Sequence, residues 1–408
     1  MESIIMKKIS LFLCCFFPAV LVFTCTEFPT SFDRIDSDVV RLLDFIYEPA
    51  EASPGDTVEL KAIFTGKKID LTDVSWRFST NVVGNKFGSD TAFDIRPLDV
   101  IPRQDYFSEN TTCISFKFVV PPDIFKTSGQ ISNNWTELLS PSILDSLPPE
   151  IIGLNKDQLI NMVDLLTQSS QMYNTIAAGL EIPIEKLSSI MPLFSQLFTV
   201  QMRFFADVKN EISIKSDYSV RYHNRFSKIP QIPIFLNHNP IIDSMGIYIV
   251  KGEKDSYNPE ENNHRFIRID NGSDSTNIVP VLKDHSYFLA VFNNHPDTFQ
   301  SLFDLSGSSG SLHLEKLTRI WFFRQNDQET RDISPNRFMK TSGRDTKSFD
   351  INSAKSYYNL QSVSKIQPPT DASIKTIIVW CQIYDDTDNE ILHPVGSTLK
   401  EGSFTFQY

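Results

Sequence analysis

The stretch PGDTVELKAIF, residues 54–64, decides the fold of this chain. A Pro-Gly-Asp turn opens it, and apolar and polar residues then alternate. The apolar side chains that this spacing places on one face are Val58, Leu60, Ala62 and Phe64. A period of two predicts a strand with one buried side. We therefore expect a β-sheet that turns one face towards a core.

Two further segments of the first 120 residues repeat this alternation. Their inward positions are Val74, Trp76 and Phe78 in DVSWRFS, and Ile114, Phe116, Phe118 and Val120 in TTCISFKFVVPP. Short strands separated by turn residues, with a tryptophan near the middle, resemble an immunoglobulin-type β-sandwich. The opening YEPAEASPGDTVELKAIF, followed by a tryptophan strand, is similar to the Ig-like modules of bacterial surface proteins. This resemblance implies two antiparallel sheets packed face to face.

Between about residue 130 and residue 208 the apolar period becomes helical. The positions with helical spacing are Leu159, Met162, Val163 and Leu166, then Leu187, Ile190, Leu193, Phe194 and Leu197. The segment ISIKSDYSVRY at 212–222 then alternates again, and an isolated strand is not stable in water. We therefore expect a helical insertion between the last two strands of the first sandwich.

The apolar content of this insertion exceeds what a short helical hairpin can bury by itself. The residues concerned are Met162, Leu166, Phe194, Phe198, Met202, Phe204 and Phe205. Two interpretations remain open. The insertion either lies on the sandwich or offers an apolar face to a partner.

The second half of the chain repeats the pattern of the first. The candidate strands are SMGIYIVKG, HRFIRID, HSYFLAVFNN, LTRIWFFRQ, IKTIIVWCQIYDD and GSFTFQY. In LTRIWFFRQ, Trp321 takes the place of Trp76, and Phe322 points to the opposite face from Trp321 and Phe323. Core packing on both faces and stacking on sugar rings are the two interpretations of these aromatics.

The sequence thus predicts a mainly β chain with two Ig-like β-sandwich domains. The first spans residues 37–229 and carries the helical insertion at about 130–208, and the second spans residues 230–408. A proline-rich segment at 230–240 joins them, and such a linker is stiff.

The N-terminus has the layout of a signal peptide. Lys7 and Lys8 precede an apolar run of 15 residues that contains Pro18, which is short for a membrane-spanning helix. The segment LVFTC resembles the lipobox of bacterial lipoproteins, and this resemblance implies that Cys25 is acylated after residues 1–24 are removed. Residues 25–36 would then be a tether. The same resemblance implies the outer membrane as the destination, because Thr26 and not an aspartate follows the cysteine. An ordinary secreted protein and an uncleaved anchor are the alternatives.

Composition excludes one class of partner. The chain has 408 residues with 38 Lys and Arg against 50 Asp and Glu, a formal net charge of −12. An acidic surface repels nucleic acid, which is therefore not predicted as a partner. The predicted partners are a membrane, through the lipid anchor, and an unknown envelope protein or glycan.

No motif in the sequence names a reaction, and no catalytic residue or cofactor is predicted. The seven histidines lack metal-ligand spacing. DDTDNE at 385–390 is a weak calcium candidate through Asp385, Asp386 and Asp388, but it lacks the order of a calcium loop and fits a hairpin turn.

Cys113 and Cys381 fall in different predicted domains. Two buried thiols are the expected state, and a bridge between the domains is the alternative.

The sequence favours a lipid-anchored envelope protein that acts as a non-enzymatic binding or scaffold module. The alternative is a polysaccharide-binding adhesin or an extracellular glycan-active enzyme, because paired carboxylates leave no local signature in a sequence.

Overall fold

The computed structural model describes residues 39–83, 91–108, 111–139, 141–166, 170–187, 190, 194, 198–209, 212–222, 238–254, 264–270, 277–293, 301–303, 312–314, 316–325, 344–348, 360–368, 376–386 and 396–408. The predicted leader and tether lie outside these ranges. So does the predicted boundary between the halves, at residues 229 and 230, which therefore stays a prediction. No helix in the described ranges has the length and apolar character needed to cross a bilayer.

The first half is built from antiparallel strands. They are β1 Val40–Glu48, β2 Thr57–Gly66, β3 Val74–Ser79, β4 Asn81–Val83, β5 Thr91–Phe93, β6 Arg96–Pro97, β7 Arg103–Ser108, β8 Thr111–Val119, β9 Thr199–Val208 and β10 Ile212–Arg221. Eight of these strands form two sheets, in the orders β1-β2-β8-β7 and β10-β9-β3-β6, while β4 pairs with β5. The two sheets enclose one apolar core.

The alternating residues of the sequence face this core. Val58, Leu60, Ala62 and Phe64 on β2 are all buried. Trp76 on β3 packs edge-on against Phe116 on β8, with ring centroids 4.7 Å apart, which joins the two sheets. The predicted inward faces of these strands are confirmed.

The order of the strands matches the immunoglobulin fold. In chain order, β1, β2, β7 and β8 take the places of strands A, B, D and E, and β3, β9 and β10 take the places of C, F and G. Trp76 therefore lies on the C strand, where that fold carries its buried tryptophan. The prediction of a mainly β chain is confirmed.

The second half is also built from two main sheets. Its strands are β11 Ser244–Lys251, β12 His264–Arg268, β13 Asn277–Pro280, β14 His285–Asn293, β15 Ser301–Phe303, β16 Leu312–Leu314, β17 Lys316–Gln325, β18 Arg344–Ser348, β19 Leu360–Ile366, β20 Ile377–Asp386 and β21 Ser397–Gln407. The main sheets run β12-β11-β14-β19 and β13-β21-β20-β17-β18, with β13 parallel to β21, and β15 pairs with β16. All six segments that were predicted as strands form strands. Trp321 and Phe323 on β17 lie in the core between the sheets, whereas Phe322 is buried on the outer side.

The chain between β8 and β9 is largely helical. Its helices are α1 Ile124–Thr127, α2 Pro141–Ser146, α3 Pro149–Ile152, α4 Lys156–Leu166 and α5 Ser170–Gly179, and residues 184–187, 190 and 194 are also helical. Leu159, Met162, Val163 and Leu166 of α4 are buried against the first core. Leu187, Ile190 and Phe194 are buried in the same way, while Leu193 and Leu197 lie outside the described residues.

The predicted end of the insertion at residue 208 is wrong. Residues 199–208 form β9, which pairs with β10 along its whole length and with β3 over residues 203–208. Met202 and Phe204 therefore belong to the sandwich core and not to a helix. The insertion also lies between β8 and β9, and not between the last two strands, because β9 and β10 form a continuous antiparallel pair.

Candidate functional site

The outer faces of two sheets pack against each other and join the halves of the molecule. We call this contact the joint. From the first half it contains Leu43, Ile63 and Cys113, and from the second half it contains Phe322, Ile378, Trp380 and Leu399. All of these side chains are buried. The joint explains why an apolar residue, Phe322, lies on the face of β17 that points away from the core.

A β-bulge in β1 shapes the centre of the joint. The pairing of β1 with β2 shifts register between Leu42 and Asp44, so Leu43 is the extra residue. A bulge re-aims the side chains beside it. Here Leu43 and Asp44, although adjacent in sequence, both contact the second half, while Phe45 returns to the core.

The Asp44 carboxylate is 3% exposed and is bonded to the second half. Ser397 Oγ donates a hydrogen bond to Asp44 Oδ2 at 2.7 Å, and Gln382 Nε2 donates to Asp44 Oδ1 at 2.7 Å. Burial raises the pKa of the Asp44 carboxyl to about 7, since the loss of hydration outweighs these hydrogen bonds. The joint therefore holds a carboxyl group that titrates near neutral pH.

Asn239 links the two halves a second time. Its Nδ2 donates to the carbonyl oxygen of Tyr47 at 2.7 Å, and the backbone N–H of Ser397 donates to its Oδ1 at 3.0 Å. One amide side chain thus spans β1 and β21. It fixes the end of the segment that joins the two halves.

A cleft of about 700 Å³ opens beside the joint. Its walls come from both halves of the molecule. The first half contributes Ile46, Glu48, Lys61, Ile63, Asp105 and Cys113, and the second half, with the end of the proline-rich linker, contributes His238, Ile241, Thr398 and Leu399. This volume is in the range of small-ligand sites, which are concave and mainly apolar with a few polar groups. The cleft is the candidate binding site.

The charged groups of the cleft come from the first half. Lys61 Nζ lies 2.6 Å from Glu48 Oε2, and although burial alone would lower the pKa of Lys61, this contact raises it overall. Ser115 Oγ donates to Asp105 Oδ2 at 3.2 Å. Two carboxylates and one ammonium give these side chains a net negative charge, which favours a ligand with a positive group.

The thiol of Cys113 lies in the cleft wall. Burial raises its pKa to about 11, and the negative charge of Asp105 adds to the effect. A thiol with a raised pKa is protonated at neutral pH and packs as a small apolar group. Cys113 and Cys381 are both buried thiols that form no disulfide bond, as expected from the sequence.

A smaller cavity of about 340 Å³ lies on the other side of Asp44. Its walls include Asp44, Tyr47, Ser216, Asp217, Gln382, Tyr384 and Ser397. Asp217 is held by Arg203, whose Nε and Nη2 donate to its two oxygens at 2.6 Å each. Asp44 and Ser397 therefore stand at the wall of this cavity, and Ser397 also lines the cleft.

The predicted site residues are not brought together. Cys25 and Asp388 lie outside the described residues, and Asp385 and Asp386 end β20, where they pair with Leu317 and Lys316 of β17. β20 and β21 are antiparallel neighbours, and residues 387–395 between them lie outside the described residues, so the turn and calcium interpretations both stay predictions. In the part of the chain that the structure describes, no three His, Cys, Asp or Glu side chains are grouped to hold a metal ion.

The apolar residues of the helical insertion lie on the sandwich. Met162, Leu166, Phe194 and Phe198 are buried in the first core. The large apolar side chains exposed on the described helical residues are Ile152, Leu165 and Ile184, each between 38% and 39% exposed. Isolated exposed side chains of this kind are ordinary. Of the two interpretations of the insertion, packing on the sandwich is favoured.

One feature of the sequence, besides the alternation of apolar residues, points to the joint. In RLLDFIYE, residues 41–48, an acidic residue interrupts an apolar strand. A buried carboxylate needs partners, and those of Asp44 lie more than 330 residues away in the chain. The interruption could mark a special position, but nothing local identifies Gln382 and Ser397.

Comparison with known proteins does not assign this chain to a family. No protein-family model matches the chain, and no curated protein matches it. Among solved structures, a conserved domain protein from Bacillus anthracis matches at 9% identity over 90% of this chain and 86% of its own, with a TM-score of 0.14. A collagen adhesin from S. aureus matches at 9% identity over 91% of this chain and 96% of its own, with a TM-score of 0.13. At such TM-scores neither structure carries an argument about this one.

Proposed function

We propose that this chain is a lipid-anchored protein of the bacterial cell envelope that acts as a non-enzymatic binding module. The cleft beside the joint is the observation that carries the proposal. It has the size of a ligand site, and both halves of the molecule supply its walls. While the joint is formed, the two halves hold such a site in one geometry, and this preorganisation favours binding.

The proposed occupant is an extended segment of another envelope protein that carries a basic side chain. Two observations support this choice. The cleft carries two carboxylates, those of Glu48 and Asp105, against one ammonium group, that of Lys61. In addition, β7, which carries Asp105, is an edge strand that pairs with β8 alone in the described sheets. An edge strand offers backbone donors and acceptors to an extended peptide.

Crosslinking in the native cell tests the occupant. A photoreactive amino acid replaces His238, which is exposed at the cleft, and a matched one replaces Ile278, which is 51% exposed on β13. We expect a peptide adduct at position 238 that is lost when Asp105→Lys reverses the charge of the wall, and no such adduct at position 278. An adduct that survives Asp105→Lys, or no adduct, would contradict the proposal.

The same two carboxylates favour the alternative, a glycan-binding or glycan-active protein. A glycoside hydrolase needs a pair of carboxyl groups across a pocket. In that case the adduct at position 238 would contain sugar. Released reducing ends that disappear in both Glu48→Gln and Asp105→Asn would identify an enzyme, and sugar adducts without hydrolysis would identify an adhesin.

Substitution of Cys25 tests the anchor. Cys25→Ala removes the only thiol that the lipobox-like segment offers for acylation, so incorporation of labelled fatty acid should stop and the protein should leave the membrane fraction. Cys113→Ser is the matched control, because its thiol is buried in the folded protein and should not affect labelling. If Cys25→Ala stays in the membrane fraction, the anchor assignment is wrong.

A further inference from the structure

The joint contains a carboxylate whose partners are all neutral. The side chains that donate to Asp44, Ser397 and Gln382, belong to the second half, and no cationic side chain among the described residues forms an ion pair with it. Leu43, Ile63 and Trp380 pack around the same contact. An ionised carboxylate without a cation is costly to keep in such surroundings.

Charged and titratable groups lie on several of the elements around Asp44. They are Arg41 and Tyr47 on β1, Lys61 on β2, Asp217 on β10, Tyr384 on β20 and Glu401 on β21. Arg41 lies over the Phe322 ring at 5.4 Å, and Lys61 is paired with Glu48. Asp217 is paired with Arg203, and Glu401 accepts a hydrogen bond from Trp380 Nε1 at 2.6 Å. Arg41 and Lys61 therefore contact groups other than Asp44.

Asp44 can be protonated without the loss of a hydrogen bond to its neighbours. Ser397 Oγ lies 2.7 Å from Asp44 Oδ2 and 3.4 Å from the carbonyl oxygen of Ile383. When Asp44 Oδ2 carries a proton, it donates to Ser397 Oγ, and the hydroxyl hydrogen of Ser397 turns to Ile383. Gln382 continues to donate to Oδ1. Protonated Asp44 is therefore fully bonded in the closed joint.

We propose that the joint is a proton-controlled latch, which is closed when Asp44 is protonated and opens when Asp44 ionises. Opening separates the walls of the cleft, because Glu48, Lys61 and Cys113 belong to the first half while Thr398 and Leu399 belong to the second. The latch concerns only the contact between the halves. The proposal therefore does not depend on which ligand the cleft binds. It adds a control by pH that the proposed binding function does not require.

The direction of the effect follows from proton linkage. In the closed joint burial raises the pKa of Asp44 to about 7, whereas in the open joint the carboxyl group is in water with an ordinary pKa of about 4. Between these two values the closed form binds more protons than the open form. Closure is therefore most favoured below about pH 4, weakens as the pH rises from about 4 to about 7, and is constant above that.

The reactivity of Cys113 reports the state of the latch. Its side chain lies in the joint and is 6% exposed, whereas Cys381 is 0% exposed in the core of the second half. The full chain is treated with a pyridyl disulfide between pH 5.5 and 8.5, and mass spectrometry resolves the modified sites. Asp44→Asn, which stays neutral at all pH values, is the matched control and is measured at the same pH, so the titration of the thiol itself cancels.

We expect the ratio of the Cys113 rate in wild type to that in Asp44→Asn to rise as the pH goes from 5.5 to 7 and to level off above 7. The total rise between pH 5.5 and 8.5 should be at least about tenfold. Cys381 should stay unreactive in both. The latch proposal would be overturned if the ratio of the Cys113 rates did not depend on pH. It would also be overturned if the modification rate of Cys381 rose together with that of Cys113.

A second measurement keeps the proposal testable if Asp44→Asn does not fold. The radius of gyration of the wild-type chain, from small-angle scattering, should increase as the pH rises through 7 while its circular dichroism stays constant. An unchanged radius of gyration between pH 5.5 and 8.5 would also overturn the latch.

Discussion

Two arginine–aspartate pairs on the same sheet show how burial sets the value of a contact. Arg203 on β9 donates twice to Asp217 on β10, and Arg77 on β3 donates twice to Asp207 on β9. Both pairs are bidentate. They differ in exposure, since the Arg203 side chain is 3% exposed and that of Arg77 is 40% exposed. Water can replace the partner of Arg77 but has little access to Arg203.

The two pairs therefore predict different costs for the same substitution. Asp217→Asn leaves a buried guanidinium without its counter-charge and should lower the free energy of unfolding by about 2 to 3 kcal/mol. Asp207→Asn is the matched control and should cost about 1 kcal/mol or less, because the pair is exposed. Urea unfolding at neutral pH measures both. Equal costs would show that Arg203 is hydrated in solution.

At the scale of single residues, the sequence predicts side-chain direction well and long-range partners poorly. Trp321 and Phe322 are assigned to opposite faces by alternation alone, and the structure confirms this. Asp44 is different, because its environment depends on a one-residue bulge and on Gln382 and Ser397. A bulge changes the face of every following residue, and no local pattern announces it.

At the scale of elements, β9 is where sequence and structure disagree. In its sequence TVQMRFFADV, the residues from Phe204 to Val208 alternate between buried and less buried positions, as in a strand. The apolar residues that precede it have helical spacing, and no glycine or proline lies between Pro192 and Val208 to mark the change. Only the pairing of β9 with β3 and β10 determines its conformation, and that information is not local.

The neighbouring pair Phe204 and Phe205 tests this strand assignment. Phe204 is fully buried, with its ring centroid 4.7 Å from that of Phe118, whereas Phe205 lies on the other face under Arg77. Phe204→Ala should lower the free energy of unfolding by about 3 to 5 kcal/mol because it leaves a cavity in the core.

Phe205→Ala is the control for that substitution. It removes a partly exposed ring and should cost about 1 kcal/mol. Denaturant unfolding of the two variants, measured side by side, gives the difference. Similar costs at both positions would contradict the alternation of β9.

At the scale of the whole molecule, the joint determines how the two halves are related. The proline-rich linker at 230–240 is predicted to be stiff, and the described contacts add side-chain packing across two sheets. Sequence patterns predict each sheet, because alternation is local. They do not predict which outer faces meet, since Ile63 and Trp380 are brought together only by the complete fold.

Ile63 offers the most direct test of the joint. It is 1% exposed and is paired in register with Asp44. Ile63→Asp places a second carboxylate directly opposite that of Asp44. Among the described residues no cation pairs with Asp44 there, so the two like charges repel each other. We expect the halves to separate while each sandwich remains folded, because Ile63 belongs to neither core.

Val119→Asp is the matched control, since Val119 lies on the same outer face of the same sheet but is 59% exposed. At pH 5.5 the wild-type chain and Val119→Asp should unfold in one calorimetric transition, whereas Ile63→Asp should show two transitions and a larger radius of gyration. Coupling through a buried apolar contact makes two folded units melt together, and its loss lets each melt at its own temperature. If Ile63→Asp kept a single transition and the wild-type radius, the joint would not be what holds the halves together.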